Sequence, residues 1–378
     1  MKFGFSGEQE EFRSNLRRFL AERSPTTEVR RLMETEAGWD RAAWRATNTT
    51  LGLTAVQIPE DFGGHGFGAS ELCIVLEEAG RALLCAPLLA TALAAAAILN
   101  AGTEAEKAAL LPGIAAGETV ATLALAEDSG RWDAAGVALS ADRAGDGGGW
   151  RLSGHKSFVL DGHTADLIVV VARTAAGIGF FTLGGDAPGV TRRALKTMDA
   201  TRKLARLEFR DAPASPLGAP GAAAEAALAR TMLQAAAFLA NEMVGGAERL
   251  REDSLAYAQM RMQFGRPIAS FQSMKHKCAD MLVEVELAKA AAYYAAAALD
   301  EGDADLAGVV SLAKAAASDA YVQTAIHAVQ IHGGIGFTWD NDTHLWFKRA
   351  RSSEALFGDA HHHRELMMRH FAADAAAA

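Results

Sequence analysis

Hydrophobic positions recur first at helical spacing, then in short alternating or continuous runs, then at helical spacing again to the end of the chain. Phe5, Phe12, Leu16, Phe19 and Leu20 share one helix face, with Ser6 as the N-cap and Pro25 as the stop. A second helical pattern covers 39–51, and 69–83 reads as a buried helix. Pro87 opens another. Its alanine-rich run, 88–99, is too short and too poor in large side chains to span a membrane. Within 102–118, Thr103 followed by Glu106 forms a capping box.

Near Thr119 the period changes. Runs rich in β-branched residues at 119–126, 137–141, 149–158, 167–173, 178–183 and 205–209 predict strands, with Gly and Asp turns between them. Their spacing suits a small barrel or sandwich. Beyond a link rich in Pro, Ala and Gly at 211–221, the helical period returns. There Met232, Ala235, Leu239, Glu242 and Gly246 fall at 3-4-3-4 spacing, so a glutamate sits on an otherwise apolar stripe. An alanine-rich helix runs from Leu312 and breaks at Gly333-Gly334 and Gly336. A further helix carries Leu345, Ala350 and Leu356 on its apolar positions and Lys348, Arg349 and Arg351 near its middle, and stops at Gly358. The tail 372–378 is expected to fray.

Composition narrows the picture. The chain has 378 residues, half of them hydrophobic, with a formal net charge of −9 and no dense basic patch. That allows two or three domains and argues against a nucleic-acid partner. Cys73, Cys85 and Cys278 have no metal-ligand spacing and read as small hydrophobes in a reducing cytoplasm. The N-terminal residues lack the apolar run of a signal peptide. The run His361-His362-His363 reads as a solvated helix face rather than a metal site, and Asp340-Asn341-Asp342 as a helix cap. The glycines at 63, 64, 66 and 68 read as a plain loop rather than a phosphate cradle, since no Lys-Ser/Thr follows.

Several stretches resemble the acyl-CoA dehydrogenase family. In the N-terminal third these are IPEDFGG at 58–64 and GTEAEKAALLPGIAAGE at 102–118. In the middle it is the segment 144–174. In the C-terminal third, Arg261, Gln263, Phe264, Gly265 and Gln272 match the family's first flavin motif. Gln330, Gly333, Gly334 and Gly336 match its second. Gly334 and Gly358 stand 24 apart, as the family's corresponding glycines do. The resemblance spans essentially the whole chain. It implies an N-terminal α-helical domain at 1–118, a middle β-domain at 119–220 that packs on the flavin ring, and a C-terminal four-helix-bundle domain at 221–378. The implied fold class is α+β, multidomain.

The same resemblance implies FAD as cofactor and an acyl-CoA thioester as substrate. An electron-transfer flavoprotein would be the electron acceptor, and the assembly a dimer, a tetramer or a heteromer with a related chain. Arg261 can pair with the pyrophosphate in a fork, Gln263 can add a hydrogen bond, and Gly333 and Gly334 let backbone approach without a side-chain clash. As a plain sequence feature, Arg261 could instead be a surface cation at a helix end. Phe264 would pack on the adenine end or in an ordinary core. His332 would reach the flavin or simply pack. In the implied reaction a carboxylate takes the α-proton while the β-hydrogen leaves as hydride.

Here the chain departs from the family. The family's usual base is a glutamate where this chain has Phe357, and the second known base position falls on Ala235. Glu242 is the leading candidate base; its alternative role is a buried pair with Arg249 or Arg261. Asp359, where the family commonly has a threonine touching the flavin, is a second candidate. At Ala126 and Phe158-Val159-Leu160 the hydroxyls that touch the flavin in the family are missing. The resemblance therefore leaves three roles: a dehydrogenase for a bulky or steroid-type acyl group, a non-catalytic subunit completing a partner's FAD site, and a flavin oxidase or monooxygenase on the same fold.

Overall fold

The computed structural model describes residues 5–145 and 149–377, with side chains up to residue 372. The helices are α1 (Gly7–Arg23), α2 (Thr26–Met33), α3 (Arg41–Leu51), α4 (Ala69–Arg81), α5 (Leu88–Ala101), α6 (Glu104–Ala115), α7 (Ala222–Met260), α8 (Gln272–Glu301), α9 (Leu306–His332), α10 (Thr343–Ala355) and α11 (Ala360–Ala377). The strands are β1 (Ala121–Ala124), β2 (Ser140–Arg143), β3 (Trp150–Leu160), β4 (Leu167–Thr174), β5 (Gly177–Gly184), β6 (Val190–Ala194), β7 (Leu204–Leu217), β8 (Met262–Gln263) and β9 (Arg266–Pro267).

Local chemistry sets the helix starts. Ser6 and Gln9 make a reciprocal capping box on α1, and Thr103 and Glu106 make one on α6. Asp40 accepts from the Ala43 amide to open α3. The Ala69 and Ser70 amides that open α4 are capped from outside, by the carboxylate of Asp300 at the end of α8. In the chain's last third the 340–342 segment caps a helix as expected: Asp342 is the N-cap of α10 and its carbonyl accepts from the Leu345 amide, the Asn341 side chain accepts from the Thr343 amide, and the Asp342 carboxylate accepts from Arg30.

Contacts divide the chain into two compact units: Met1–Arg30, Ala69–Leu84 and Ala236–Ala378 in one, Arg31–Gly68 and Cys85–Ala235 in the other. In the first, α9 is central, packed by α8, α10 and α11. Its small residues Ala313, Ala317 and Ala320 are buried, which lets helices approach closely. Helices α4 and α7 come closer still. A Cβ on Gly80 would lie 2.0 Å from the Glu242 carbonyl oxygen, and one on Gly245 would lie 1.9 Å from that of Glu77. Glycine is required at both positions.

The second unit holds the sheet. β4 pairs with β2 and β5, β2 with β3, β3 with β7, and β7 with β5, so these five strands close on themselves. β1 adds to β4 in parallel and β6 adds to β7. The barrel alternative is the one formed. One core fills it with Leu152, Ile168, Val170, Phe181, Leu207 and Phe209. A second core packs α5 and α6 on its outer face through Ile98, Leu111, Ile114, Val169, Val171 and Phe180.

Two sequence expectations change. β6 was not expected; its Thr and Arg side chains alternate with half-buried positions and carry no long apolar run. The link expected at 211–221 is mostly strand, because β7 continues through Pro213 and Pro216 to Leu217. Both prolines sit where β7 can do without their missing amide hydrogens. The expected turn glycines Gly147 and Gly148 and the last residue of the tail fall outside the described residues; the tail's backbone is helical to Ala377.

Candidate functional site

Arg261, which opens the first motif, and Gly333, the first glycine of the second, follow directly on the ends of α7 and α9. A small cluster brings those ends together. Ala258, Met281 and Ile331 are buried, with Tyr257, Ile268 and Met274 packed on them. The Tyr257 ring stacks on His332 at 4.3 Å. His332 is buried, and its Nδ1 donates to the Ala328 carbonyl at 2.8 Å, so it packs rather than projecting outward.

From this end the chain leaves α7 through a two-residue hairpin, β8–β9. Phe264 and Gly265 at its tip both have positive φ, +54° and +75°, the conformation of a type I′ turn. Phe264 is 91% exposed, so it is not a core phenylalanine of this chain. Arg261 is exposed, and its guanidinium makes no ion pair among the described residues. Gln263 and Gln272 are likewise exposed, with no side-chain hydrogen bond among the described residues, and Gln330 accepts from Lys277 at 2.9 Å.

The glycines differ in purpose. Gly333 has φ +66° and ψ −145°, a combination open to glycine alone. A Cβ on Gly333, Gly334 or Gly265 would meet nothing within 4 Å. At Gly336 it would meet the Val329 carbonyl oxygen at 3.1 Å, so this glycine serves packing. A free guanidinium, two free amides and backbone bared of Cβ atoms gather at one end of one bundle. These are the donors a pyrophosphate needs, so the residues present fit FAD.

The barrel supplies the other matched pair. The Ser157 amide donates to the Ala126 carbonyl at 2.8 Å, placing Ala126 beside Phe158. Phe158 has φ +58° and is 42% exposed. An ion pair the sequence reading missed holds this junction. Lys156 is fully buried; its Nζ donates to Glu127 Oε1 at 2.7 Å and to the Leu125 carbonyl at 2.9 Å. Burial pushes the Lys156 ammonium down to about 8, with Glu127 pulling the other way. Burial alone would raise Glu127, yet the Leu139 amide and Lys156 hold it below the usual carboxylate range. Alternation along β3 was the available signal, since it puts Lys156 on an inward position. Outside the barrel, Asp128 accepts from Ser157 Oγ and from Arg206, each at 2.8 Å.

Glu242 is buried, and Arg349 on α10 donates to its Oε1 at 2.8 Å. The glutamate thus has the arginine partner of the structural alternative, but the partner is neither Arg249 nor Arg261. Arg249 pairs with Asp253, and Arg261 lies beyond Met260, roughly 27 Å of helix axis from Glu242. Asp359 is exposed, and its Oδ1 accepts from the His362 amide at 2.8 Å at the start of α11. That bond holds its carboxyl below the usual range, before the weaker effect of the neighbouring histidines.

Phe357, where the family has its base, is buried with φ +60°. Lys314 and His363 bond to the backbone around it. Lys314, fully buried, donates to the Gly358 carbonyl at 2.9 Å and to Ser318 at 3.0 Å. His363 Nε2 donates to the Phe357 carbonyl at 3.1 Å. Burial, then Lys314, pushes His363 down to about 4. So His363, unlike its exposed neighbours, is not part of a solvated face. A histidine lowered in this way binds its proton more readily when unfolded. Stability therefore falls as pH drops from about 6.5 toward 4, by roughly 3 kcal/mol for a full shift. Urea midpoints at pH 7 and pH 5 check this: His363→Asn is expected to shrink the difference between them, and an unchanged difference contradicts it.

Comparison with known proteins places all of this in one frame. The N-terminal, middle and C-terminal acyl-CoA dehydrogenase domains match residues 6–118, 122–212 and 224–372. The chain is 34% identical over 350 residues to acyl-CoA dehydrogenase IpdE2 of Mycobacterium tuberculosis, covering 92% of each. Its structure is similar to a variant of the Tcur3481–Tcur3483 steroid ACAD, with a TM-score of 0.88, 30% identity, and coverage of 98% of this chain and 99% of that one. It is similar also to the ChsE4–ChsE5 complex of Mycobacterium tuberculosis, with a TM-score of 0.89, 27% identity and coverage of 98% and 99%.

Proposed function

The chain belongs to the acyl-CoA dehydrogenase family, and from that premise we propose that it works in the FAD-dependent α,β-dehydrogenation of a bulky, steroid-type acyl-CoA. One observation carries the cofactor half of the proposal: Arg261, Gln263 and the bare glycines Gly333 and Gly334 sit free at one bundle end. FAD, when bound, supplies the acceptor for the β-hydride and passes the electrons on, with an electron-transfer flavoprotein as the proposed recipient. The chain's own part is to grip and to orient. Arg261 meets phosphate charge in a fork, Gln263 and Gln272 add hydrogen bonds, and Gln330 presents its amide beside the glycines. Phe264 reaches outward to the adenine end of a neighbouring subunit's cofactor. Ala126 and Phe158 present backbone and a ring where other members present hydroxyls.

A second observation shapes the reading. Phe357 is buried in the family's base position, and Glu242 is engaged by Arg349. This favours a heteromer, in which this chain completes a cofactor site while a related chain brings the α-proton base. The likeness to a steroid ACAD and to a two-chain complex supports both the substrate class and the pairing.

The deciding experiment purifies the chain alone and co-expressed with a related acyl-CoA dehydrogenase chain. Expected are weak flavin retention and no turnover alone, and yellow, active protein together. Arg261→Met in the pair is expected to lose flavin. Turnover by the single chain rejects the heteromer reading. Colourless protein in both preparations rejects FAD. Rapid reoxidation of reduced flavin by oxygen would instead select the oxidase alternative.

A further inference from the structure

A cavity of about 480 Å³ opens between α1, α4, α7 and α10, away from every residue assigned above. Its size suits a small molecule. Leu20, Ala21 and Ala82 make an apolar wall, and Arg17, Arg81 and Arg249 bring guanidinium groups to it. Glu78 is the single acid on the wall, and Arg17 covers both its oxygens at 2.9 and 2.6 Å. The other arginines are only partly used. Arg81 gives Nη2 to Glu252 while its buried Nη1 has no acceptor among the described residues. Arg249 gives Nε to Asp253 and lays its guanidinium 5.8 Å from the Trp346 ring.

Trp346 makes the point independently. It is 3% exposed, it lines the cavity, and its indole N–H has no hydrogen-bond partner among the described residues. A buried orphan N–H costs free energy unless something accepts from it. Thr26, the first residue of α2, lies on the same wall. The buried side-chain atoms of this wall without a partner among the described residues, Arg81 Nη1 and the Trp346 indole nitrogen, are both donors.

We propose that this cavity binds a small organic oxyanion, a carboxylate or phosphate monoester on a flat apolar body. The anionic oxygens take the spare N–H groups of Arg249, Arg81 and Trp346, and the apolar body lies between the Trp346 ring and the Leu20–Ala21 wall. This site owes nothing to the flavin reading and stands or falls separately.

Isothermal titration of the assembled protein with phenyl phosphate, benzoate and inorganic phosphate tests it. One saturable site per chain is expected for at least one aromatic probe. Inorganic phosphate, which lacks the apolar body, should bind about tenfold more weakly. Phenyl phosphate against benzoate tells a phosphate ligand from a carboxylate. Arg249→Met is expected to weaken binding by about tenfold or more, and Trp346→Phe, which removes only the N–H and part of the ring, by a similar factor. Ala21→Phe fills the cavity from an exposed position without touching the arginines and should abolish binding in a protein with unchanged melting. No saturable binding up to about 10 mM of any probe overturns the proposal. So does binding that survives both Ala21→Phe and Arg249→Met.

Discussion

Arg349→Met is expected to destabilise the helical unit by about 3–5 kcal/mol and to lower its melting midpoint by roughly 5 °C or more. The cause is what remains behind. Glu242 is 6% exposed, and the substitution takes away the guanidinium 2.8 Å from its carboxylate. The site cannot open to water cheaply, because Gly80 of α4 lies against the Glu242 backbone and fixes the helices at close range. Glu242→Gln is milder, since the amide still accepts a hydrogen bond. The double variant Glu242→Leu with Arg349→Met is expected to recover most of the loss, because an apolar pair replaces an ion pair without desolvation cost. Urea midpoints of the parent, Glu242→Leu, Arg349→Met and the double variant measure the coupling. The same set, with Glu242→Gln, separates the two roles of Glu242. A structural partner gives a loss of stability in each single variant and a double variant that loses less than their sum. A base gives Glu242→Gln with normal melting and no turnover in the assembled enzyme.

Much of the fold was readable because it rests on short-range chemistry. Ser6 with Gln9 and Thr103 with Glu106 announce helix starts within four residues, and both form as expected. The strand runs were legible where two faces are buried, as in β4 and β5. They were not legible in β6, whose pairing depends on β7 being present to receive it. The arginine and glycine motifs that resemble a flavin site were readable from short stretches of sequence, and the structure adds that their helix ends meet at one cluster. Partners across the fold left no such mark. Nothing near Glu242 in sequence points to Arg349, which is 107 positions away and was read only as one of three basic residues near the middle of a later helix. Gly245 sits inside a helical run where its role, clearance for the α4 backbone, shows only once α4 is placed. The Glu127–Lys156 pair was hidden for the same reason: its 29-residue separation is closed only where the Ser157 amide meets the Ala126 carbonyl in the folded chain.

Lys156→Met is expected to cost about 3–5 kcal/mol and, in the assembled enzyme, to reduce flavin retention. Lys156 Nζ ties Glu127 and the Leu125 carbonyl at the exit of β1 to the middle of β3. Without it, Glu127 keeps only backbone donors, the amides of Ala138 and Leu139, for a buried charge. The Ser157 amide bond to Ala126 is the next rung, so loosening the tie moves Phe158, whose positive φ is held by its neighbours. Glu127→Gln removes the other partner and behaves differently, because a lysine can shed its charge. Lys156 already sits near 8, well below its ordinary 10.5, and without the carboxylate it falls further. The folded protein then binds fewer protons than the unfolded chain across that range, so its stability rises with pH. The Glu127→Gln deficit should therefore shrink between pH 7 and pH 9, while the Lys156→Met deficit grows, since the parent's own Lys156, near 8, gains stability over that range and the variant has no lysine to titrate. Melting curves of both variants at the two pH values decide the matter. Equal pH dependence in both, or a Lys156→Met protein as stable as the parent, would show that the pair does not hold the junction.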